Sequence, residues 1–459
     1  MARLTRPPEP PPADPAEESQ EHQTLGSGTF MRAAATTYGA TVAAAALSLV
    51  NVLITARSLG PTGRGQLAFL TTIALLTATL SSFGVEEANG NLAGLQPGAR
   101  PALATNSLLL SLVLGGIGIA AVSGLVALAP GVGGDASRAL LLLALVAIPV
   151  LILQIYLQFL IRADYGFAIT NIGSVVAPVL TLVVNATLAL TGNLTVGRAL
   201  GAWVAGQLLV TIVLAAYVRL RLAGFGRPRL KLAGEAVRFG ILAHAGRVMK
   251  TGNYRLDQWL LGSIAGPREL GLYSIAVAWS EAVFYLPEAL MMVIRPDVVR
   301  ASRAEAARRT AMVFRVAVIV TVPLVAALII AAPILCVTVF GDRFQGSIAD
   351  LRLLAPGAFG IIALKLLANS LTAQRRPMLG NIAVAVAFAA TVALDLLLIP
   401  RHGGAGAAAA STIAYSAGGL AVAIIFSRAL GTRLRDLVPR PVGDTRTLLG
   451  RLRAASGRA

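Results

Sequence analysis

A run of charged and polar side chains lies inside an apolar segment, residues 239–265, that is long enough to cross a bilayer. At 100° per residue these side chains fall within an arc of about 160°, which leaves the other side of the helix apolar. A basic residue in the middle of a membrane helix costs about 2.5 to 3.5 kcal/mol. Three basic residues on one face therefore predict a water-filled cavity and an anionic ligand. The polar residues are His244, Arg247, Lys250, Thr251, Tyr254, Arg255, Asp257 and Gln258.

The cations on this face have the chemistry to bind phosphate. Guanidinium groups pair bidentately with phosphate oxygens, and an ammonium group adds a compact positive charge. A further lysine lies near the middle of a later apolar segment, and two hydroxyl groups share the polar face. The predicted substrate-binding residues are Arg247, Lys250, Thr251, Tyr254, Arg255 and Lys365.

Acidic side chains near this face allow two interpretations. Glu281 and Glu288 are seven residues apart in the next apolar segment and so share one helical face. They can take up protons in an ion-coupling relay, or they can neutralise the basic residues in one of two conformations. Asp257 can join in coupling or form a salt bridge with Lys250 that fixes helix packing, and His244 can sense protonation or be a hydrogen-bonded bystander. The predicted coupling or gating residues are Asp257, Glu281, Glu288 and His244, and no metal site is predicted.

The composition is that of a polytopic membrane protein. Of the 459 residues, 56% are hydrophobic and 13% are charged, and the apolar runs are too long for a soluble domain. Windows of about 20 residues predict twelve membrane-spanning helices and an all-α fold. The predicted spans are 34–56, 66–88, 103–128, 138–161, 166–190, 198–219, 239–264, 270–294, 313–339, 348–373, 378–399 and 405–428.

The distribution of arginine predicts the orientation. Basic residues are dense in the even-numbered connections and the tails, whereas the odd-numbered connections hold mostly single ones such as Arg57 and Arg64. Both termini are therefore predicted to be cytoplasmic. The net charge of +18 reflects this topology and attraction to anionic lipids, and does not indicate nucleic-acid binding. Glu86, Glu87 and Asp395 lie near span ends and are expected at the membrane interface.

Two similar segments divide the spanning region into halves. Gly60-Pro61, with a second glycine at Gly65, recurs 206 residues later as Gly266-Pro267 with Gly271. A Gly-Pro turn followed by a glycine suits a tight connection between two spans. The repeat predicts two parallel six-helix bundles with a site between them. The predicted domains are a disordered cytoplasmic tail at 1–30, the bundles at 31–222 and 239–430, a cytoplasmic linker at 223–238, and a basic cytoplasmic tail at 431–459.

These segments carry a family resemblance. Residues 56–65, ARSLGPTGRG, resemble the first-loop signature of the polysaccharide-transporter branch of the multidrug/oligosaccharidyl-lipid/polysaccharide exporter superfamily. Residues 254–262, YRLDQWLLG, and 269–276, ELGLYSIA, resemble spans seven and eight of its Wzx-type flippases. The resemblance implies two V-shaped bundles, alternating access, and translocation of an undecaprenyl-diphosphate-linked oligosaccharide.

The residues support the function that the resemblance implies. A polyprenyl-diphosphate sugar cannot flip unaided, because its charged head would have to cross hydrocarbon. We therefore expect a flippase for such a glycolipid in surface polysaccharide biosynthesis, with no cofactor and no chemistry on the substrate. Its expected partners are the lipid-linked glycan, anionic membrane lipids and other polysaccharide-assembly membrane proteins. Coupling to a proton or sodium gradient remains open.

Three alternatives differ in what they require. A multidrug/cation antiporter of the same superfamily needs an acidic, aromatic-lined cavity, whereas the central helix here is basic. A glycan polymerase or glycosyltransferase needs large outer loops with paired carboxylates or a metal-binding motif, and the predicted outer connections are short. A peptidoglycan-precursor flippase would use the same mechanism for a different substrate, and the count of twelve spans rather than fourteen disfavours it.

Overall fold

The computed structural model describes residues 27–222, 224–284, 298, 301–440 and 443. Within them the chain is helical and contains no strand, as the hydropathy pattern predicts. The first helical stretch, Ser27–Ser81, breaks at Gly60, where φ is 67°. A left-handed residue cannot continue a helix, and glycine adopts this conformation without a steric penalty. The break gives α1 (27–59) and α2 (61–81), and Pro61 occupies the first position of α2, where a missing N–H is harmless.

The rest of the first half adds a short helix and four long ones. They are α3 (Val85–Leu95), α4 (Arg100–Leu128), α5 (Arg138–Ala163), α6 (Phe167–Leu190) and α7 (Val196–Arg221). The second half contains α8 (Leu230–Ile264), α9 (Gly266–Val283), α10 (Arg303–Pro333), α11 (Ser347–Leu354) and α12 (Ala358–Ala373). The stretch Pro377–Leu430 breaks at Gly403, where φ is 53°, into α13 (377–402) and α14 (404–430).

These elements make twelve crossings in two six-helix bundles. Eight described helical stretches are long and apolar enough to span a membrane. Two of them are the stretches that break at Gly60 and Gly403, so each provides two crossings. The remaining crossings are α8, which carries more charged residues than the other spans, and α9. Helices within each half pack on one another. The halves meet where the stretch Ser27–Ser81 contacts α8 and α9, and where α3 contacts α8.

The helix that carries most of the predicted site is longer than its predicted span. α8 begins at Leu230, nine residues before the predicted start at 239. Leu232 and Ala236 are buried in this extension, while Lys231 and Glu235 are exposed. The helix therefore continues because one face of the basic segment packs against the protein.

Candidate functional site

A cavity of about 840 Å³ lies between the two halves. Its walls come from α1, α2, α6 and α7 of the first half and from α8 and α9 of the second. Most of the lining side chains are small or apolar. Among the described residues, the charged lining side chains are Arg64, Arg255 and Glu281. With all three ionised, the wall has one more positive than negative charge.

Arg255 and Glu281 form an ion pair across the cavity wall. Arg255 Nη1 donates to Glu281 Oε1 at 2.8 Å, and Nη2 donates to Oε2 at 3.4 Å. The side chains are 31% and 27% exposed, and both line the cavity. The pair joins α8 to α9, so the predicted basic and acidic faces meet here. About a third of the Arg255 side chain remains exposed beside the cavity.

Arg64 is a cavity residue that the sequence analysis assigned to a connection. It lies in the first turn of α2, which begins immediately after Gly60. Its Nε is buried, and the guanidinium has no hydrogen-bond or ion-pair partner among the described residues. Its charge interacts with that of Arg255. The spacing of Arg64, Ala68, Thr71 and Leu75 marks the helical face that lines the cavity and is visible in the sequence.

Amide and hydroxyl groups line the first-half wall. Asn185 on α6 donates to Asn51 Oδ1 on α1 at 2.8 Å, and the Oδ1 of Asn185 is buried without a partner among the described residues. Both residues line the cavity together with Trp203 of α7. Amides can both donate to and accept from sugar hydroxyls, and an indole offers a flat apolar face. This wall is suited to a glycan.

Close backbone contacts between the halves seal one end of the cavity, which we call the Gly-Pro end. A Cβ added at Gly65 would lie 1.6 Å from the carbonyl oxygen of Pro267. A Cβ added at Gly271 would lie 1.9 Å from the carbonyl oxygen of Pro61. The two Gly-Pro segments therefore pack reciprocally, as expected of halves related by a pseudo-two-fold axis. Arg57 adds to this seal by donating to Val339 O at 2.7 Å.

Arg247 lies away from the cavity, in a cluster that joins α8 to the end of α2 and the start of α3. Its Nε is 2.8 Å from Glu86 Oε1, and its Nη2 donates to Glu87 Oε1 at 2.8 Å. The guanidinium also lies 5.2 Å from the ring centre of Phe159. Glu86 is completely buried, so its expected position at the interface is wrong: the ion pair with Arg247 compensates for its burial.

His244 takes part in the same junction. Its Nε2 is 3.0 Å from Leu80 O, and its ring stacks on Phe83 at 6.0 Å between centroids. Gly84 and Gly240 meet backbone to backbone beside it, too close for a Cβ on either residue. We call Arg247, Glu86, Glu87 and His244 the Arg247 cluster.

Asp257 lies behind the cavity wall in a buried polar network. Its Oδ2 accepts from Tyr273 OH at 2.5 Å and from Ser411 Oγ at 3.3 Å, and its Oδ1 accepts from the backbone N–H of Gln258 at 2.7 Å. Asp395 on α13 is close enough for its charge to interact with that of Asp257.

Asp395 itself is completely buried. Neither of its carboxylate oxygens has a hydrogen-bond partner among the described residues. The side chain of Asp395 therefore does not face water near the end of its span, because α13 turns it into the second bundle.

The other predicted site residues do not line the cavity. Lys365 donates to Phe284 O at 3.0 Å and lies 5.8 Å from the ring centre of Tyr254, inside the second bundle. Lys250 is exposed and Thr251 is half-buried on α8. Glu288 lies outside the described residues. No group of three or more His, Cys, Asp or Glu side chains in the described ranges is placed to hold a metal ion.

A family model covers the part of the chain that forms the cavity. The model, described as a polysaccharide biosynthesis protein, matches residues 54–349. The chain belongs to this family. The matched region includes both Gly-Pro segments and the three charged cavity residues. No curated protein matches the chain in sequence.

Solved membrane transporters share the fold of this family member. The lipid II flippase MurJ, in an inward closed conformation, has a TM-score of 0.71 and 13% identity, over 87% of this chain and 88% of its own. An inward-facing multidrug resistance MATE family transporter of the MOP superfamily has a TM-score of 0.66 and 15% identity, over 84% and 94%. The MATE multidrug transporter DinF-BH has a TM-score of 0.65 and 17% identity, over 89% and 98%. The likeness shows the fold of a multi-pass membrane protein.

Proposed function

We propose that the protein is a flippase that translocates a polyprenyl-diphosphate-linked oligosaccharide across the bacterial plasma membrane by alternating access. The observation that carries this proposal is the cavity between the halves, with two guanidinium groups and one carboxylate on its walls. A hydrated cationic chamber lowers the cost of moving an anionic head past hydrocarbon. The amide groups of Asn51 and Asn185 provide partners for the glycan. Membership of a polysaccharide biosynthesis family supports this assignment.

In this proposal the Gly-Pro end faces outward, and both termini are cytoplasmic. The cavity is then sealed on the outer side and receives the lipid-linked glycan from the cytoplasmic side. The Arg247 cluster lies towards the cytoplasmic side and acts as a gate, because its ion pairs hold the halves together there. Arg255 remains a ligand for the substrate, while Glu281 neutralises it when the cavity is empty. Anionic lipids and other polysaccharide-assembly membrane proteins remain expected partners.

We further propose that Asp257 and Asp395 bind the coupling ion, a proton or sodium. Two buried carboxylates close together strongly favour taking up a positive charge. Asp395 has no compensating hydrogen bond among the described residues, so an added cation would satisfy it. The site is separated from the cavity by α8, which carries both Asp257 and Arg255 and can link ion binding to substrate binding.

The proposal is tested in liposomes that contain the purified full-length protein. A labelled polyprenyl-diphosphate oligosaccharide should move between leaflets, and Arg255→Ala should slow this movement at least about tenfold. Arg198→Gln removes an exposed arginine that hydrogen-bonds the nearby Asn193 carbonyl and should move the substrate at the wild-type rate. Efflux of a cationic dye without movement of the glycolipid would instead support a multidrug/cation antiporter.

A further inference from the structure

Arg64 places a positive charge at the closed end of the cavity. It lies within one turn of Gly60, next to the contact of Gly65 with Pro267 that seals the halves. Its guanidinium has no hydrogen bond or ion pair within the described ranges, and its Nε is buried. The charge of Arg255 acts on it, while Glu281 is paired with Arg255. An anion bound near Arg64 would relieve the repulsion between the two guanidinium groups.

The depth of Arg64 shows which part of a lipid-linked glycan can reach it. Seventeen residues of α2 separate Arg64 from Ser81, which at 1.5 Å per residue is about 26 Å. The hydrocarbon core of a bilayer is about 30 Å thick. A substrate whose tail is still in the leaflet at the far end keeps its diphosphate near the headgroups of that leaflet. Its glycan, and not its diphosphate, extends to the depth of Arg64.

The cavity wall near the Gly-Pro end has the features of a sugar site. Trp203 lies two turns into α7, near the N-terminal end of that helix, which begins beside the first Gly-Pro segment. It lines the cavity together with Ala199 and Arg64. Indole faces and arginine side chains are the usual partners of a sugar ring and of its carboxylate. A neutral sugar would leave the Arg64 charge uncompensated in a partly buried position.

We propose that Arg64 and Arg255 form a subsite for a carboxylate on the glycan, so that the protein transports an acidic oligosaccharide, such as one that contains a uronic acid. This inference rests on the proposed flippase function and deepens it by naming the class of glycan. Arg64 is then a specificity-determining residue: it binds the acidic sugar at the closed end before the halves separate there.

The test compares two substrates that differ in one group. Liposomes with the full-length protein receive polyprenyl-diphosphate trisaccharides that end in glucuronate or in glucose. The wild type should move the glucuronate substrate about tenfold faster, as expected for one charge-assisted contact. Arg64→Gln should remove this preference, because it should slow the glucuronate substrate about tenfold more than it slows the glucose substrate. Arg64→Lys should keep part of the preference, and Arg198→Gln should keep all of it.

Two results would overturn the inference while leaving the flippase function intact. One is equal movement of both substrates by the wild type. The other is an equal loss of both substrates in Arg64→Gln, which would mean that Arg64 binds the diphosphate or supports the fold.

If neither substrate moves, the flippase proposal fails. A binding measurement then tests the carboxylate subsite independently of transport. The free glucuronate trisaccharide is titrated into the detergent-solubilised full chain, with tryptophan fluorescence as the signal. Binding by the wild type and by Arg198→Gln, and its loss in Arg64→Gln, would support the subsite. Absence of binding by the wild type would reject it.

Discussion

Gly65 of the first half packs directly against the carbonyl oxygen of Pro267 in the second half. The reciprocal contact, Gly271 against Pro61, has nearly the same geometry. Each repeated Gly-Pro segment thus forms a turn, and the glycine that follows it also packs against the turn of the other half. One short pattern, used twice, both ends a helix and closes the cavity.

Gly65→Ala should prevent this closure. Its Cβ would overlap the backbone of Pro267, which cannot move aside as a side chain can, and overpacking of this kind costs about 1 to 3 kcal/mol. The sealed conformation should become less populated and transport should fall. The measurement is the reaction of a cysteine placed at Thr71, on the cavity wall, with a membrane-impermeant reagent added from the Gly-Pro side. Gly116→Ala, where the added Cβ meets nothing within 4 Å, is the matched control. Unchanged labelling and transport in Gly65→Ala would show that the contact is dispensable.

Glu86 and Glu87 should differ in what they contribute, although both pair with Arg247. Glu86 is completely buried, while the side chain of Glu87 is 42% exposed. Glu86→Gln removes the buried partner of the partly exposed Arg247 and should lower the free energy of unfolding by about 1 to 3 kcal/mol. Glu87→Gln should cost less than about 1 kcal/mol, as solvent-exposed ion pairs do. Thermal unfolding in detergent measures both, and an equal effect of the two variants would argue against this account.

Neutralising the charge of Glu281 should identify the role of the Arg255–Glu281 pair. Glu281→Gln leaves Arg255 without its carboxylate and should increase the affinity for the anionic substrate, because the pair no longer competes with it. Release should then become slower, so the rate of transport should fall even though binding is tighter. Binding and flipping assays on the same preparation separate the two effects. Weaker binding in Glu281→Gln would indicate that Glu281 itself holds the substrate.

Asp395→Asn should uncouple transport from its ion gradient. The amide cannot carry the negative charge that attracts a cation, although its size is nearly the same. Flipping by the variant should be unaffected by an imposed proton or sodium gradient, whereas the wild type should respond to one of them. Glu281→Gln, which alters the cavity and leaves Asp395 intact, serves as the control and should retain the gradient dependence. A variant that responds like the wild type would exclude Asp395 from coupling.

The fold could be predicted from the sequence because a membrane-spanning helix requires an apolar segment of about 20 residues, which the hydropathy pattern reveals. The twelve crossings follow from hydropathy, and Gly60 with Pro61 marks a helix break that needs no tertiary information. Helix periodicity also placed Arg255 and Glu281 on polar faces of α8 and α9. That they face each other was not predictable from periodicity alone, because periodicity gives the face of a helix but not its neighbour.

The residues that sequence reasoning misplaced share a physical cause. Arg64, Glu86 and Asp395 lie near helix ends. There a small change in chain geometry decides whether a charged side chain reaches water or points into the protein. Tertiary packing decides between the two. Arg247 differs from these three residues. Its place on the polar face of α8 was predicted, but both of its carboxylate partners come from the first turn of α3, and no local pattern links them to α8. Whether Arg247, Lys250 or Lys365 contacts substrate stays a prediction.

The unbroken length of α8 has a mechanical consequence. At 1.5 Å per residue its 35 residues span about 52 Å. The Arg247 cluster holds the middle of this helix, and near its C-terminal end Ser263 donates to Val132 O in the connection after α4. If a rigid helix tilts about its middle attachment, its two ends move in opposite directions. In the proposed alternating-access cycle, such a tilt would couple opening on one side of the membrane to closure on the other, which limits the leakage of ions.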